Sequence, residues 1–331
     1  MTYCKFLSQP ADNSKPCTHY LKGNLDEAGF CNTAHHFRCV EALQHYLPHV
    51  TQSALKSLSQ CAYKYYLTYI LGIQVFDDKL PVPIKYGAIW DDVIDCFVSN
   101  RNYCLQDYVD RYHLYPTDIS RIQALINAFD KLELGKSIAG MKTQEQVQVD
   151  VGIHMVTGYC DLSSDDHIKE VKLSGSPDFY TKIENIGLQV GTYLMHNENW
   201  EYCDMLVSQL PKQRTGGRGQ YSSETPEAFT SRIYSDIIAK PKQYFVGYNR
   251  AKKTYGQRFW RSEFDFNVLR KRYNDMFTEL WWRTKENIWP KNDLACHVPT
   301  RCMFHPMKRS GVMSEELYYI QNVEEAAKGM R

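Results

Sequence analysis

Asp161 precedes the triplet Glu170-Val171-Lys172 in the stretch GYCDLSSDDHIKEVKLSG, and Gln189 and Tyr193 follow in LQVGTYL. Two carboxylates and a lysine in such a setting are the parts needed to cut a phosphodiester. Carboxylate oxygens are hard donors and suit Mg²⁺ or Mn²⁺ far better than zinc. A cation held by them polarises a phosphoryl oxygen and lowers the pKa of a bound water. A lysine beside it can orient that water or offset the developing negative charge.

These groups act together only if the chain brings them to one place. Apolar–polar alternation in EQVQVDVGIHM, and the β-branched and aromatic residues running up to Asp161, predict strands. Ser163-Ser164-Asp165-Asp166 supplies the polar turn of a hairpin. Asp161 then closes one strand and Glu170 sits on its neighbour. Side chains on a strand alternate, so Glu170 and Lys172 share a face while Val171 turns to the opposite core. From about Asp178 to His196 the pattern predicts a helix, bounded by Ser176-Pro177 and by Asn197. Gln189 and Tyr193, one helical step apart, share a face and point together toward the carboxylates. The triplet also has a plainer reading, as charges on an exposed strand edge that keep a sheet from aggregating.

Two further segments precede this set. Ser53 to Leu67, SALKSLSQCAYKYYL, places Cys61 before an aromatic run, and Pro83 to Asp91, PIKYGAIWD, places a glycine ahead of a helical pattern. Taken with Asp161, Glu170-Val171-Lys172 and Gln189-Val190-Gly191-Thr192-Tyr193, they resemble the PD-(D/E)XK nucleases of the RecB-like branch, which includes CRISPR-associated adaptation exonucleases and many phage exonucleases. The resemblance spans Ser53 to Tyr193. It implies an α/β fold with a restriction-endonuclease-like core, a mixed central sheet flanked by helices. It also implies metal-dependent hydrolysis of DNA, most naturally from an end, in recombination, repair or phage DNA processing. Asp161 and Glu170 would hold the metal, Lys172 would serve the water, and Gln189 and Tyr193 would position substrate or water. The branch carries a metal-binding His where this chain has Asp91. An Asp ligates a hard cation equally well, or is a surface carboxylate on an amphipathic helix.

The sequence contains eleven cysteines. In a cytosolic protein that number argues against a disulfide scaffold and for metal ligation by some of them. Cys4, Cys17, Cys31 and Cys39, with His45, could organise a small zinc module, although the spacing matches no CxxC ribbon and buried cysteines also pack as small hydrophobes. Several members of the resembled branch hold a [4Fe-4S] cluster with one early and three late cysteines. Cys61, Cys296 and Cys302 match three of those positions, and Lys308 stands near the fourth. His305 could complete the set, as a zinc site with Cys61, Cys296 and Cys302 or as an unusual cluster ligand, or the cysteines merely pack.

With 331 residues the chain can bury a substantial core, in one large domain or two modest ones. The expected organisation is a Cys/His-rich module over 1–50, a helical region over 51–140, a catalytic core over 141–210, and a C-terminal loop, strand and helical region over 211–331. No apolar run reaches the length of a membrane span and Met1-Thr2-Tyr3-Cys4-Lys5 lacks a signal-peptide core, so a soluble, cytoplasmic protein without a membrane partner is expected, in the host cytoplasm if phage-encoded. The formal net charge of +1 carries no global mark of nucleic-acid binding. Locally, Lys182, Lys212, Arg214, Arg218, Arg250, Lys252, Lys253, Arg258 and Arg261 interleave with Tyr244, Phe245, Tyr248, Tyr255, Phe259 and Trp260, which could grip a single strand or simply line a core. Residues 211–226, with Gly216-Gly217-Arg218-Gly219, read as a loop that lacks the setting of a phosphate-cradling motif. A strand over Gln243 to Arg250 and a helix over Phe264 to Asn287 complete the expectation. DNA is the expected partner, together with a recombination or replication protein. A catalytically silent DNA-binding or assembly protein and a zinc-organised nucleic-acid adaptor are the competing functions.

Overall fold

A computed structural model describes residues 49–70, 72–152, 154–215, 224–286, 288–292, 302–304 and 317–320. Its strands are β1 (His49–Thr51), β2 (Ile73–Val75), β3 (Lys142–Val151), β4 (His154–Ser163), β5 (His167–Ser174), β6 (Tyr202–Gln209), β7 (Gln257–Trp260) and β8 (Tyr318–Ile320). The longer helices are α1 (Gln52–Gln60), α2 (Val82–Val98), α3 (Leu105–Tyr112), α4 (Pro116–Lys131), α5 (Ile183–His196), α6 (Pro226–Ala239) and α7 (Phe266–Glu286). The chain divides into two compact units. One gathers Asp77–Val147 and Tyr159–Phe266, the other the described parts of Met1–Phe76, Gln148–Gly158 and Asn267–Arg331.

The first unit contains the sheet order β4-β5-β6-β7, with β3 also paired to β4. β5 runs antiparallel to β4, with Leu162 opposite Lys169, and parallel to β6, with Glu170 opposite Met205. β7 closes the described order antiparallel to β6. The result is an α/β architecture with a mixed sheet and flanking helices, as expected. β5 is buried on both faces from Ile168 to Val171, which is how an interior strand between two partners is built. Val171 joins Leu162, Leu206 and the α2 residues Ile89, Trp90 and Val93 in the core. α4 and α6 pack on each other, and each begins on a proline, whose missing N–H is no loss in a first turn. The Thr225 hydroxyl caps α6 by accepting the Ala228 N–H at 3.3 Å.

In the second unit, β1 pairs in parallel with the start of β4, Val50 opposite Val156, and β2 pairs antiparallel with β8. The His154 ring stacks on Phe277 of α7 with centroids 4.1 Å apart. α1 is capped by Thr51, whose hydroxyl accepts the Ala54 N–H. No helix among the described residues is long and apolar enough to cross a membrane.

Two elements differ from expectation. The helix drawn from Asp178 is a 3₁₀ turn over Pro177–Thr181, an extended Lys182, and then α5 from Ile183. The reason lies in the carbonyls. Thr181 Oγ1 donates to Asp178 O and Asn185 Nδ2 to Phe179 O, each at 2.9 Å, taking acceptors that a continuous helix would offer to its own backbone. The strand expected over Gln243 to Arg250 is instead a short helical turn, Pro241–Tyr244, followed by a chain reversal. Pro241 fixes the first turn, and Gly247 adopts φ +68°, where an added Cβ would overlap the Gly256 carbonyl oxygen. Only an isolated bridge, Phe245 to Ser208, joins this stretch to β6, and the strand itself appears later as β7.

Candidate active site

The hairpin of β4 and β5 sets the site. Its turn, Ser164 to Asp166, is closed by the Ser164 N–H donating to His167 O at 2.8 Å. Asp161 lies near the end of β4, and its Oδ2 accepts the Val171 backbone N–H of β5 at 2.7 Å. That bond fixes the carboxylate across the hairpin from the triplet. Glu170 is almost completely buried, at 1% exposure. Its Oε1 accepts from Lys172 Nζ and from Gln189 Nε2, the latter at 2.6 Å. Its Oε2 is buried with no hydrogen-bond partner. Lys172 Nζ also donates to Val171 O at 2.8 Å and to Asp161 Oδ2 at 3.5 Å, so the ammonium bridges both carboxylates.

α5 supplies the remaining pair. Gln189 Nε2 donates to Tyr193 Oη at 2.9 Å, one helical step along the same face. Tyr193 is buried, and that burial, followed by the negative charges of Glu170 and Asp161, pushes its phenol well above the ordinary range. Asp91 comes from α2. Its side chain reaches solvent, yet it is crowded by protein and lies within electrostatic range of Asp161, Glu170 and Lys172. The crowding, and then the Asp161 and Glu170 charges, push its carboxyl well above the usual range. Asp91 is thus an exposed carboxylate that feels the charges of Asp161, Glu170 and Lys172.

The charge balance is uneven. Asp161 and Glu170 contact one ammonium, Asp91 lies within electrostatic range, and the shared negative charge is felt by Glu170, Asp91 and Lys172. Burial, then the Asp161 charge, raises the Glu170 carboxyl to about 8. Burial alone would lower the Lys172 pKa, but Asp161, Glu170 and Asp91 outweigh it and hold the ammonium charged. A buried carboxylate oxygen without a donor and a surplus of negative charge are what a hard divalent cation would satisfy. As they stand, no three or more His, Cys, Asp or Glu side chains among the described residues form a ligating array. The Lys172 ammonium occupies the space between Asp161 and Glu170.

Tyr255 is a neighbour that the sequence did not single out for this place. Its buried hydroxyl meets Ser208 Oγ at 3.5 Å, and the Asp91 charge contributes to raising its phenol. Its position in the chain, far from the triplet, carries no periodic signal that could have placed it there.

The expected basic and aromatic grip is corrected in part, Trp260 alone of its rings being exposed. Tyr244, Phe245, Tyr255 and Phe259 are core residues, and Tyr255 packs edge-on against Phe129 and Phe245. Arg258 is held by Asp204 through two bonds of 2.8 and 3.0 Å and lies 3.6 Å above the Tyr202 ring. Arg261 donates to the Leu194 and Asn197 carbonyls, and Lys253 pairs with Glu133. Rings spent on a core cannot stack on bases.

Cys61 is buried where α1 gives way to the next helical turn, and Cys302 is half-buried. Cys4, Cys17, Cys31, Cys39, His45, Cys296 and His305 lie outside the described residues, as does Gly216-Gly217-Arg218-Gly219. Compared with known proteins, the chain matches no family model and no curated relative.

Proposed function

We propose that this protein is a divalent-metal-dependent nuclease of the PD-(D/E)XK type that hydrolyses DNA, in keeping with a role in recombination, repair or phage DNA processing. The observation that carries the reading is Glu170: a buried carboxylate with one oxygen bonded to Lys172 and Gln189, the other unpartnered, joined to Asp161 through Lys172 and within electrostatic range of Asp91. Such a constellation is costly as structure alone, because a buried carboxyl oxygen without a partner and a proton held against the ordinary carboxylate range both oppose folding. It is useful where a cation and a phosphate must be received.

Asp161 and Glu170 would hold Mg²⁺ or Mn²⁺, with Asp91 as a third oxygen donor. The ion, when bound, supplies polarisation of the scissile phosphate and a more acidic water. Lys172 stays protonated and presents its ammonium to the oxygens on which charge develops. Gln189 fixes the rotation of the Glu170 carboxylate, and Tyr193 in turn accepts from Gln189, so the α5 pair sets the direction in which Oε2 points.

The test is digestion of end-labelled linear and closed circular DNA with Mg²⁺ and with Mn²⁺. Cleavage of linear DNA alone identifies an exonuclease, and cleavage of both an endonuclease. Wild-type-like cleavage by purified Asp161→Ala protein would overturn the assignment.

A further inference from the structure

The unit that contains α1 and α7 carries an aromatic assembly that the proposed chemistry does not use. Five rings follow one another in near-parallel contact: Tyr63 to Tyr66 at 6.1 Å, Tyr66 to Trp289 at 5.4 Å, Trp289 to Tyr65 at 5.9 Å and Tyr65 to Tyr69 at 5.1 Å, with interplanar angles from 17° to 28°. Tyr65 is buried, whereas the other four rings are half-buried. The run is set by a π-helical turn over Tyr66–Ile70, a rare geometry that recurs at functional sites. Lys291 Nζ sits 4.9 Å from the centre of the Tyr63 ring.

The end of α7 continues the theme. Its inward face is Leu269, Tyr273, Met276, Phe277, Leu280 and Thr284, which leaves Trp281 and Trp282 outside at 55% and 45% exposure. Lys285 Nζ lies 5.0 Å from the Trp281 ring, and the Arg283 guanidinium 6.0 Å from that of Trp282. Beyond the helix the Ile288 N–H donates to Arg283 O at 3.1 Å, and the next residue, Trp289, stacks on Tyr65 and Tyr66.

The ring series lies in acid-free sequence, whereas α7 carries Glu279 and Glu286 in the same stretch as Trp281 and Trp282. From residue 49 to residue 76 the sequence has Lys56 and Lys64 and no Asp or Glu, and residues 288–292 add Lys291 and no acid. Burial, and for Tyr66 the neighbouring Tyr63, raises the phenols of Tyr66 and Tyr69 to about 12, with no carboxylate contributing. Arg283 is committed to Glu279 at 2.7 Å, whereas Lys285 and Lys291 lie over rings.

We propose that this unit binds a single strand of nucleic acid, its bases stacking on Trp281, Trp282 and the Tyr63 end of the ring series, its phosphates meeting Lys285 and Lys291. Every base has a π-face, so rings of this kind hold a strand without regard to sequence, and lysines beside them neutralise the backbone. A duplex keeps its base faces stacked inside and offers only phosphates, so the single strand is preferred. The inference deepens the nuclease reading by naming the form of nucleic acid presented, yet it is tested without cleavage.

The experiment is fluorescence anisotropy of the full chain with a fluorescein-labelled oligothymidylate, against a hairpin duplex of equal length, in EDTA. The single strand should bind about tenfold or more tightly than the duplex, and Trp281→Ala combined with Trp282→Ala should weaken it about tenfold or more. Lys285→Ala with Lys291→Ala should reduce the salt dependence of binding by about one to two units of slope. Both tryptophans are exposed, so the double variant keeps its fold, checked by circular dichroism. Unchanged affinity in the folded double variant, or equal affinity for duplex, overturns the proposal even if Mg²⁺-dependent cleavage is found. Ring-dependent binding in a protein that never cleaves upholds it and removes the nuclease reading instead.

Discussion

Glu170 concentrates the electrostatics of the site in one carboxyl. Burial, then the Asp161 charge, lifts it from 4.5 to about 8, so across that window the folded protein keeps a proton that the unfolded chain has released. Stability then falls as pH rises through the window, the opposite of a salt-bridged acid, and the raised Asp91 carboxyl acts in the same direction. We expect the melting temperature of the metal-free protein to decline between about pH 5 and about pH 8. Glu170→Gln should flatten that decline and melt above the parent at the upper end. Mg²⁺ or Mn²⁺ should raise the melting temperature of the parent there and leave the Gln variant unmoved. An identical pH profile for the two proteins would remove Glu170 as the titrating group. For catalysis, Asp161→Ala and Glu170→Ala should abolish cleavage. Lys172→Ala should lower it by about 10²- to 10³-fold while sparing metal binding, as measured by calorimetry. Double variants should lose little more than singles, because the groups act as one unit.

At the scale of elements, α5 was legible because a glutamine and a tyrosine one helical step apart can do little else than share a face, and the hairpin was legible because alternation and Ser-Asp turn chemistry agree. The 3₁₀ turn over Pro177–Thr181 and the helical turn at Pro241 were not. They are decided by side chains that capture particular carbonyls and by the approach of Gly247 to Gly256, contacts that no periodicity encodes. Gln189→Ala should slow cleavage more than it lowers the melting temperature, since it frees the Glu170 carboxylate to rotate without opening the core. A drop in stability with no rate defect in the folded fraction would make it a packing residue. Gly247→Ala meets both a left-handed backbone and an overlapping carbonyl, so it should cost roughly 1–3 kcal/mol or more in denaturant unfolding.

Across the whole molecule, the sequence showed an α/β chain but not how it divides. The unit with α1 and α7 depends on pairings such as Val50 with Val156 and Ile73 with Ile320, and partners so far apart leave no local trace. That arrangement has a consequence for biosynthesis. A ribosome releases the chain from its N-terminus, so β1 and α1 emerge long before β4 and longer before α7. The unit carrying Glu170 has its last residue at Phe266, and it can complete its contacts while the residues that finish the other unit are still inside the exit tunnel. The earliest-made described segment is thus among the last to reach its final surroundings. Ribosome-stalled chains exposing residues up to Phe266 should resist protease over Asp77–Val147 and over the described parts of Tyr159–Phe266 and be cut readily between residues 49 and 76, and protection of the early segment should arrive only when α7 is extruded.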